Sequence, residues 1–323
     1  MSRNRKDEHI QIARALKKQS NFFDKIVFEA TDLPDLSIDD IDLSTTFLGY
    51  ALDYPIYINA MTGGSDKANA INEFLGKIAA HFNLPMVTGS QSIMFKDPEA
   101  IPSFTVIRKH HTGVLVSNIN PNMTLEQAKQ SVETIGANAL SIHLNVIQEL
   151  VMTEGDRDFT KWSDNIRNIV HNLNVPVIVK QVGNGLTGKT ITKLKALGVK
   201  HIDVSGSGGT SFIDIESIRS GKNNDYLKDF SIDTAQILIS LRDEKDLNKY
   251  ASGGIRNPMD VVKALALGAS AVGLSKWFLD LTELTFEDAV LKVEDFLLDL
   301  KKIMLIIGVS NIPALQKEPY MII

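Results

Sequence analysis

The chain has 323 residues, 44% hydrophobic and 23% charged, a balance that excludes collagen-like, disordered and coiled-coil proteins. Its 34 basic and 39 acidic residues leave a formal charge of −5, which excludes a global field that draws nucleic acid; any anionic ligand must be held by local groups. Cysteine is absent, which excludes disulfide scaffolds, thiolate zinc sites and cysteine nucleophiles.

Met1 to His9 are mostly charged or polar and lack the apolar core of a signal peptide. No run of about 18 apolar residues is available to span a bilayer. The expectation is a cytoplasmic protein with neither a membrane nor a nucleic-acid partner. His9 to Lys18 reads as an amphipathic helix, and the aspartates at Asp32, Asp35, Asp39, Asp40 and Asp42 read as a solvated loop. Residues 1–53 are therefore expected to be an N-terminal extension packing on or over a single domain formed by 54–323.

Short apolar runs then recur, at Pro55 to Ala60, Pro85 to Thr88, Gly113 to Ser117, Ala139 to His143, Pro176 to Lys180, His201 to Ser205, Tyr250 to Gly253 and Ala271 to Leu274. Most are rich in Val and Ile without strict alternation, the pattern of parallel strands buried on both faces. Helical patterns intervene at Asn69 to Phe82, Thr124 to Ile135, Trp162 to Leu173, Thr190 to Leu197, Thr234 to Leu241 and Pro258 to Leu267. Pro258 suits a first helical turn, and Gly198 and Gly268 suit C-terminal caps. Eight strands alternating with helices predict an α/β fold, a closed (β/α)8 TIM barrel with an N-terminal extension. A doubly wound sheet is the alternative, and Gly253 and Gly254 weaken the seventh strand. The insertions at 144–161 and 206–233 have the length of lids or binding loops.

In such a barrel, function gathers at the C-terminal ends of the strands. Polar residues and glycines concentrate there: Asn59 to Gly64, Gly89 to Gln91, Ser117 and Asn118, His143 to Asn145 with Gln148 and Glu149, Lys180 to Gly183, Ser205 to Thr210, Gly253 to Arg256, and Gly273 to Ser275. Glycines after strands seven and eight let backbone N–H groups converge on a phosphate, with Arg256 as a charged partner; two tight turns and a surface arginine are the plainer alternative. Lys180 ends an otherwise apolar strand and faces either a salt bridge or the site. Glu149 is a candidate Mg²⁺ ligand, since Mg²⁺ takes one or two carboxylates together with substrate phosphates.

Several motifs carry a resemblance. They are Arg5 to Ile10, Ile58 to Gly64, Gly89 to Gln91, His143 to Glu149, Glu154 to Phe159, Pro176 to Lys180, Gly208 to Thr210 and Ala251 to Arg256. In order, over Arg5 to about Leu279, the chain resembles the type 2 isopentenyl-diphosphate isomerases, flavin-dependent (β/α)8 enzymes unrelated to the metal-dependent type 1 enzymes. The resemblance implies interconversion of isopentenyl and dimethylallyl diphosphate, with reduced FMN, NADPH as reductant and Mg²⁺. It also implies a homo-oligomer built from tetramers, either tetramer or octamer. Met61, Thr62, Gly63, Ser90, Asn118, Lys180, Ser205, Thr210, Gly254, Arg256 and Ser275 are then expected to line FMN. Arg5, Lys6, Gln91, His143, Asn145 and Gln148 are expected to meet the substrate, and Glu149 the Mg²⁺. Lys180, Gln148 and His143 are the expected catalytic residues.

Two departures stand out. Ser92 replaces an arginine common after the Gly-Ser-Gln run, and Gln181 replaces a glutamate that often follows the strand-five lysine. A 2-hydroxy-acid oxidase on the same barrel would want a His–Arg pair near the sixth loop, and Ser205 to Thr210 contains neither. Purine-nucleotide dehydrogenases of this design need a cysteine. A catalytically idle flavin- or phosphate-binding protein is the third alternative, opposed by His143, Gln148, Glu149 and Lys180. The apolar C-terminal residues Ile303 to Ile307 and Met321 to Ile323 either close the barrel or bury themselves in a partner.

Overall fold

The Val- and Ile-rich runs form eight short parallel strands whose registers close on themselves. They are β1 (Ile56–Ile58), β2 (Met86–Val87), β3 (Leu115–Ile119), β4 (Ala139–Leu144), β5 (Val177–Gln181), β6 (His201–Asp203), β7 (Asn248–Ser252) and β8 (Ala271–Leu274). Hydrogen bonding runs in chain order around the ring and β8 pairs with β1, giving the (β/α)8 barrel rather than the doubly wound sheet. The computed structural model describes residues 2–15 and 20–323, with the side chains of residues 2–6 and 13 outside the description.

The seventh strand is well formed, because Gly253 and Gly254 follow it rather than interrupt it. The outer helices are α1 (Ser2–Ala15), α2 (Asp66–Phe82), α3 (Leu125–Ile135), α4 (Val146–Val151), α5 (Trp162–Asn172), α6 (Gly188–Ala196), α7 (Phe212–Ser220), α8 (Thr234–Ser240), α9 (Pro258–Ala266), α10 (Lys276–Leu281) and α11 (Phe286–Ile307). Helix α2 starts before Asn69 because Ser65 caps it, its Oγ accepting from Ala68 N at 3.1 Å. Helix α1 begins at Ser2, not His9; its first turns are charged and carry no apolar stripe to mark them. The rest of the predicted segment, 16–19, lies outside the described residues. The insertion 144–161 contains α4, and 206–233 contains α7 and a 3-10 helix at Asp225–Phe230.

Two apolar clusters hold the fold. The larger lies between strands and helices. The smaller fills the N-terminal end of the barrel interior, where a hairpin of Thr45–Phe47 and Tyr50–Leu52 inserts Phe47, Leu48 and Leu52. Phe47 stacks on Tyr57 at 4.6 Å and meets Tyr250 edge-on at 4.8 Å, while Leu48 N donates to Tyr250 Oη at 2.8 Å. That end of the barrel is closed, and the interior opens at the strands' C-terminal ends. All five aspartates of the acidic stretch are exposed. Met304 and Ile307 of α11 are buried, whereas Met321, Ile322 and Ile323 are exposed, Met321–Ile322 pairing with Ile26–Val27. No helix of the described residues is long and apolar enough to cross a membrane.

Candidate active site

A cavity of about 1210 Å³ opens at the C-terminal end of the barrel. Its floor is polar although the surrounding strands are apolar. Lys180, on β5, is 5% exposed, and its Nζ donates to Asn59 Oδ1 at 3.1 Å. Asn59 Nδ2 in turn donates to Asp203 Oδ2 at 3.1 Å. The Asp203 carboxylate, 1% exposed, also accepts from Tyr57 Oη at 2.9 Å, from Ser252 Oγ at 2.7 and 2.8 Å and from Ser205 N at 3.1 Å. Burial pushes the Lys180 ammonium below its ordinary range, and the Asp203 charge works in the opposite direction. The Tyr57 phenol is raised well above its ordinary value, by burial first and by Asp203 second.

One wall comes from β4 and the helix after it. His143 Nδ1 and Asn118 Oδ1 lie within hydrogen-bonding distance, 3.1 Å apart, which orients the ring along the wall. Asn145 Nδ2 donates to Glu149 Oε1 at 2.7 Å, and Asp156 N donates to Glu149 Oε2 at 2.8 Å. Gln148 lies on the same wall. Asn145 Oδ1 and Thr62 Oγ1 are buried with no hydrogen-bond partner among the described residues, and both residues line the cavity.

The opposite wall is built from glycine loops after β6, β7 and β8. Gly253 adopts φ +82°, and a Cβ there would lie 2.1 Å from Gly206 O, so the two loops pack backbone to backbone. A Cβ on Gly273 would lie 2.5 Å from the Tyr57 ring. Ser205 takes φ +39°, uncommon for a residue with a side chain, and is tied down by its N–H on Asp203. Asn21, outside the barrel, donates from Nδ2 to Gly254 O at 2.8 Å. The mouth is clasped by Arg219 on α7, which pairs with Glu8 of α1 and Glu154 at 3.1 Å each and with Glu216; His9 also bonds Glu216, at 2.7 Å.

The residues singled out from sequence divide cleanly. Met61, Thr62, Ser90, Asn118, His143, Asn145, Gln148, Glu149, Lys180, Ser205, Thr210, Gly254 and Ser275 all line the cavity. Gln91 does not. It is fully buried behind β2 and β3, its Oε1 accepting from Ser117 Oγ at 2.6 Å and its Nε2 donating to Ser131 O at 3.1 Å. Arg256 is likewise off the wall: its guanidinium is engaged by Asp24 and Asp260, so it braces the seventh loop rather than offering itself to a phosphate. Gly63 packs under Phe104, where a Cβ would lie 2.0 Å from the ring. The side chains of Arg5 and Lys6 lie outside the described residues. Of the two departures, Ser92 lines the cavity, with Lys96 on the same wall. Gln181 turns back onto its own loop, Oε1 accepting from Asn184 N at 2.6 Å. Asp203 and Ser252 were given no site role from sequence, nor was Asn59 beyond its place at a strand end, although a polar residue in an apolar strand is the signal that marks Lys180.

The fold and this site define the class: a (β/α)8 protein of the FMN-dependent dehydrogenase family, whose profile matches residues 104–321. An isopentenyl-diphosphate delta-isomerase from Latilactobacillus sakei is 45% identical over 322 residues, covering 98% of this chain and 92% of that protein. One from Staphylococcus epidermidis is 41% identical over 318 residues, with 97% and 91% covered. The chain belongs to the isopentenyl-diphosphate delta-isomerase family. Among solved structures, a sulfite-bound flavocytochrome b2 variant aligns with TM-score 0.67 at 20% identity, covering 98% of this chain and 82% of that one. A mandelate oxidase variant aligns with TM-score 0.64 at 15% identity, covering 98% and 92%; both likenesses concern the fold alone.

Proposed function

We propose that this chain interconverts isopentenyl and dimethylallyl diphosphate as a type 2 isomerase, with reduced FMN, NADPH as the reductant that sets that form, and Mg²⁺ beside the diphosphate. One observation carries the reading: a buried lysine at the cavity floor stands beside a wall bearing His143, Asn145, Gln148 and Glu149, in a chain 45% identical to a named isomerase. Moving a double bond by one carbon needs a proton delivered to one carbon and removed from another, with no net redox change.

The cavity suits FMN. Gly209, Thr210, Gly254 and Ser275 border it, so their backbone N–H groups would be the donors for a phosphate, and the buried Thr62 Oγ1, without a partner among the described residues, offers a hydrogen-bonding group on another wall. When bound, the flavin supplies a ring system that gives and takes a proton. Lys180 would hold its anionic N1–C2=O edge, a cation needing no reorganisation as charge develops. Met61, Ser90, Asn118 and Ser205 would complete the pocket. His143, Asn145 and Gln148 would orient the substrate, and the closed barrel floor keeps water from a carbocation-like transition state.

Among the described residues no three His, Asp or Glu side chains gather as a metal cage. A Mg²⁺ ion would therefore share the Glu149 carboxylate with diphosphate oxygens and water. Arg5 and Lys6, on α1 at the mouth, would meet the diphosphate, and Lys96 supplies a cation on the wall where Ser92 stands in place of arginine. The exposed apolar side chains Leu291, Leu298 and Ile306 of α11 support a homo-oligomer. Homologues from bacteria and the absence of a spanning helix among the described residues support action in the cytoplasm.

The test is to load the protein with FMN, reduce it, and follow dimethylallyl diphosphate by NMR alongside Lys180→Met. The wild type forms product, and the variant keeps its fold and loses roughly 10²–10³-fold in rate, the scale of one electrostatic stabiliser. A protein that takes no FMN, or a variant with full activity, would contradict the reading.

A further inference from the structure

The floor contains one carboxylate to which the isomerase reading gives no role. We propose that Asp203 is the positioning residue of the site: through Asn59 it orients and keeps charged the Lys180 ammonium, and through its backbone contact it fixes Ser205. This inference deepens the isomerase reading and rests on it.

The geometry carries it. Lys180 and Asp203 are register partners on neighbouring strands β5 and β6, both nearly inaccessible to water. Their link is indirect, Nζ to Asn59 Oδ1 at 3.1 Å and Asn59 Nδ2 to Asp203 Oδ2 at 3.1 Å. An amide can present either end. With Nδ2 committed to the carboxylate, and Ala60 N donating to Oδ1 at 2.8 Å, the oxygen end must face the lysine. Asp203 thus sets the polarity of Asn59, and Asn59 offers Lys180 an acceptor that holds it in place.

The carboxylate is itself immobile. Tyr57 Oη, Ser252 Oγ and Ser205 N occupy its remaining lone-pair directions, so no rotation is available that keeps all partners satisfied. The same contact restrains Ser205 at φ +39°, the first residue of the sixth glycine loop. One buried charge therefore organises both the cation on the floor and the start of the loop expected to meet the flavin.

On the two strands adjoining that of Lys180, the register partners that titrate are Asp203 on β6 and His143 on β4, and Tyr57, on β1 across the barrel, reaches the Asp203 carboxylate. Of these, Asp203 is the group that favours the charged lysine, against the opposing effect of burial. Removing its charge lowers the pH at which Lys180 loses its proton.

The experiment compares wild type, Asp203→Asn, Asn59→Ser and Tyr57→Phe. Two quantities are measured across pH 6 to 10: kcat of the FMN-loaded enzyme, and FMN affinity of the apoprotein by flavin fluorescence. In Asp203→Asn the alkaline limbs of both profiles are expected to move down by roughly one pH unit or more, the scale of a close charge partner. Substrate KM should change far less than kcat, since the diphosphate end is untouched. Asn59→Ser, which breaks the bridge and leaves the carboxylate in place, is expected to shift the limbs in the same direction. It decides the matter if Asp203→Asn does not fold. Tyr57→Phe deletes one bond to the carboxylate but not its charge, so it should lower Tm while leaving both limbs where they are. Limbs that superimpose on wild type in Asp203→Asn and Asn59→Ser would overturn the proposal and leave Asp203 a structural residue. The FMN-affinity profile involves no isopentenyl diphosphate, so failure of the proposal is separable from failure of the isomerase reading, which shows as absence of wild-type turnover.

Discussion

Glu149 illustrates how much a single carboxylate is asked to do. Its two oxygens are held by Asn145 Nδ2 and Asp156 N, which fix it at the cavity wall. A lone carboxylate binds Mg²⁺ weakly, so under the proposed function the ion's affinity would come largely from the diphosphate. Glu149→Gln keeps the shape and removes the charge. FMN binding is expected to survive while the Mg²⁺ concentration for half-maximal rate rises about tenfold or more, about 1.4 kcal/mol or more of lost attraction. Rate measured against Mg²⁺ for both proteins checks this, and superimposed curves would remove Glu149 as a ligand. At this scale the sequence was partly legible. Lys180 announced itself as a charge in an apolar strand, and the same rule picks out Asn59 and Asp203. Gln91 and Arg256 lie off the cavity wall: residue type and a strand-end position do not say which way a side chain turns. Gln91 turns outward to bond Ser117 and Ser131, and Arg256 is taken by Asp24 and Asp260.

Individual strands and loops were more legible, because burial on both faces writes itself into composition. Each Val/Ile run became a barrel strand, and the glycines after β7 sit in the left-handed region where a side chain would strike the neighbouring loop. What the pattern did not disclose is how the segment before the barrel is fastened. Asn21 bonds Gly254 O, Phe22 N bonds Asp233, and Asp24 pairs with Arg256, so this segment buttresses the glycine loops from outside. These are long-range contacts between polar residues, without periodicity. The Arg256 side chain holds the Asp24 carboxyl down at about 2, helped by its bond to the Asn21 backbone. A depressed acid contributes stability above its unfolded value, near 4, that is lost as pH falls through the folded value. Asp24→Asn is therefore expected to lower Tm at pH 7 by roughly 1–3 °C, a small effect because the pair is half exposed to solvent. The gap to wild type should close between about pH 4 and pH 2. A difference independent of pH across that window would assign the effect to packing instead of charge.

For the whole molecule, one end of the barrel is sealed by the Phe47 hairpin and the other is open but roofed by α1, α4 and α7, with Arg219 clasping Glu8, Glu154 and Glu216. Alternating strands and helices foretold the barrel; the hairpin and the clasp were illegible because each depends on residues far apart in the chain meeting only after closure. The resulting chamber has a floor of buried lysine and carboxylate bridged by Asn59, a glycine-lined side and a polar wall, an arrangement that serves proton transfer on a flavin without demanding net oxidation. That is the central claim, and stoichiometry tests it most directly. With FMN, Mg²⁺, excess isopentenyl diphosphate and a small measured amount of NADPH under anaerobic conditions, dimethylallyl diphosphate and oxidised NADPH are quantified together. The account predicts many molecules of product for each NADPH consumed, because the reductant only sets the flavin's state. One product per NADPH, or oxidation of NADPH without isomerised product, would contradict it and make the chain an oxidoreductase.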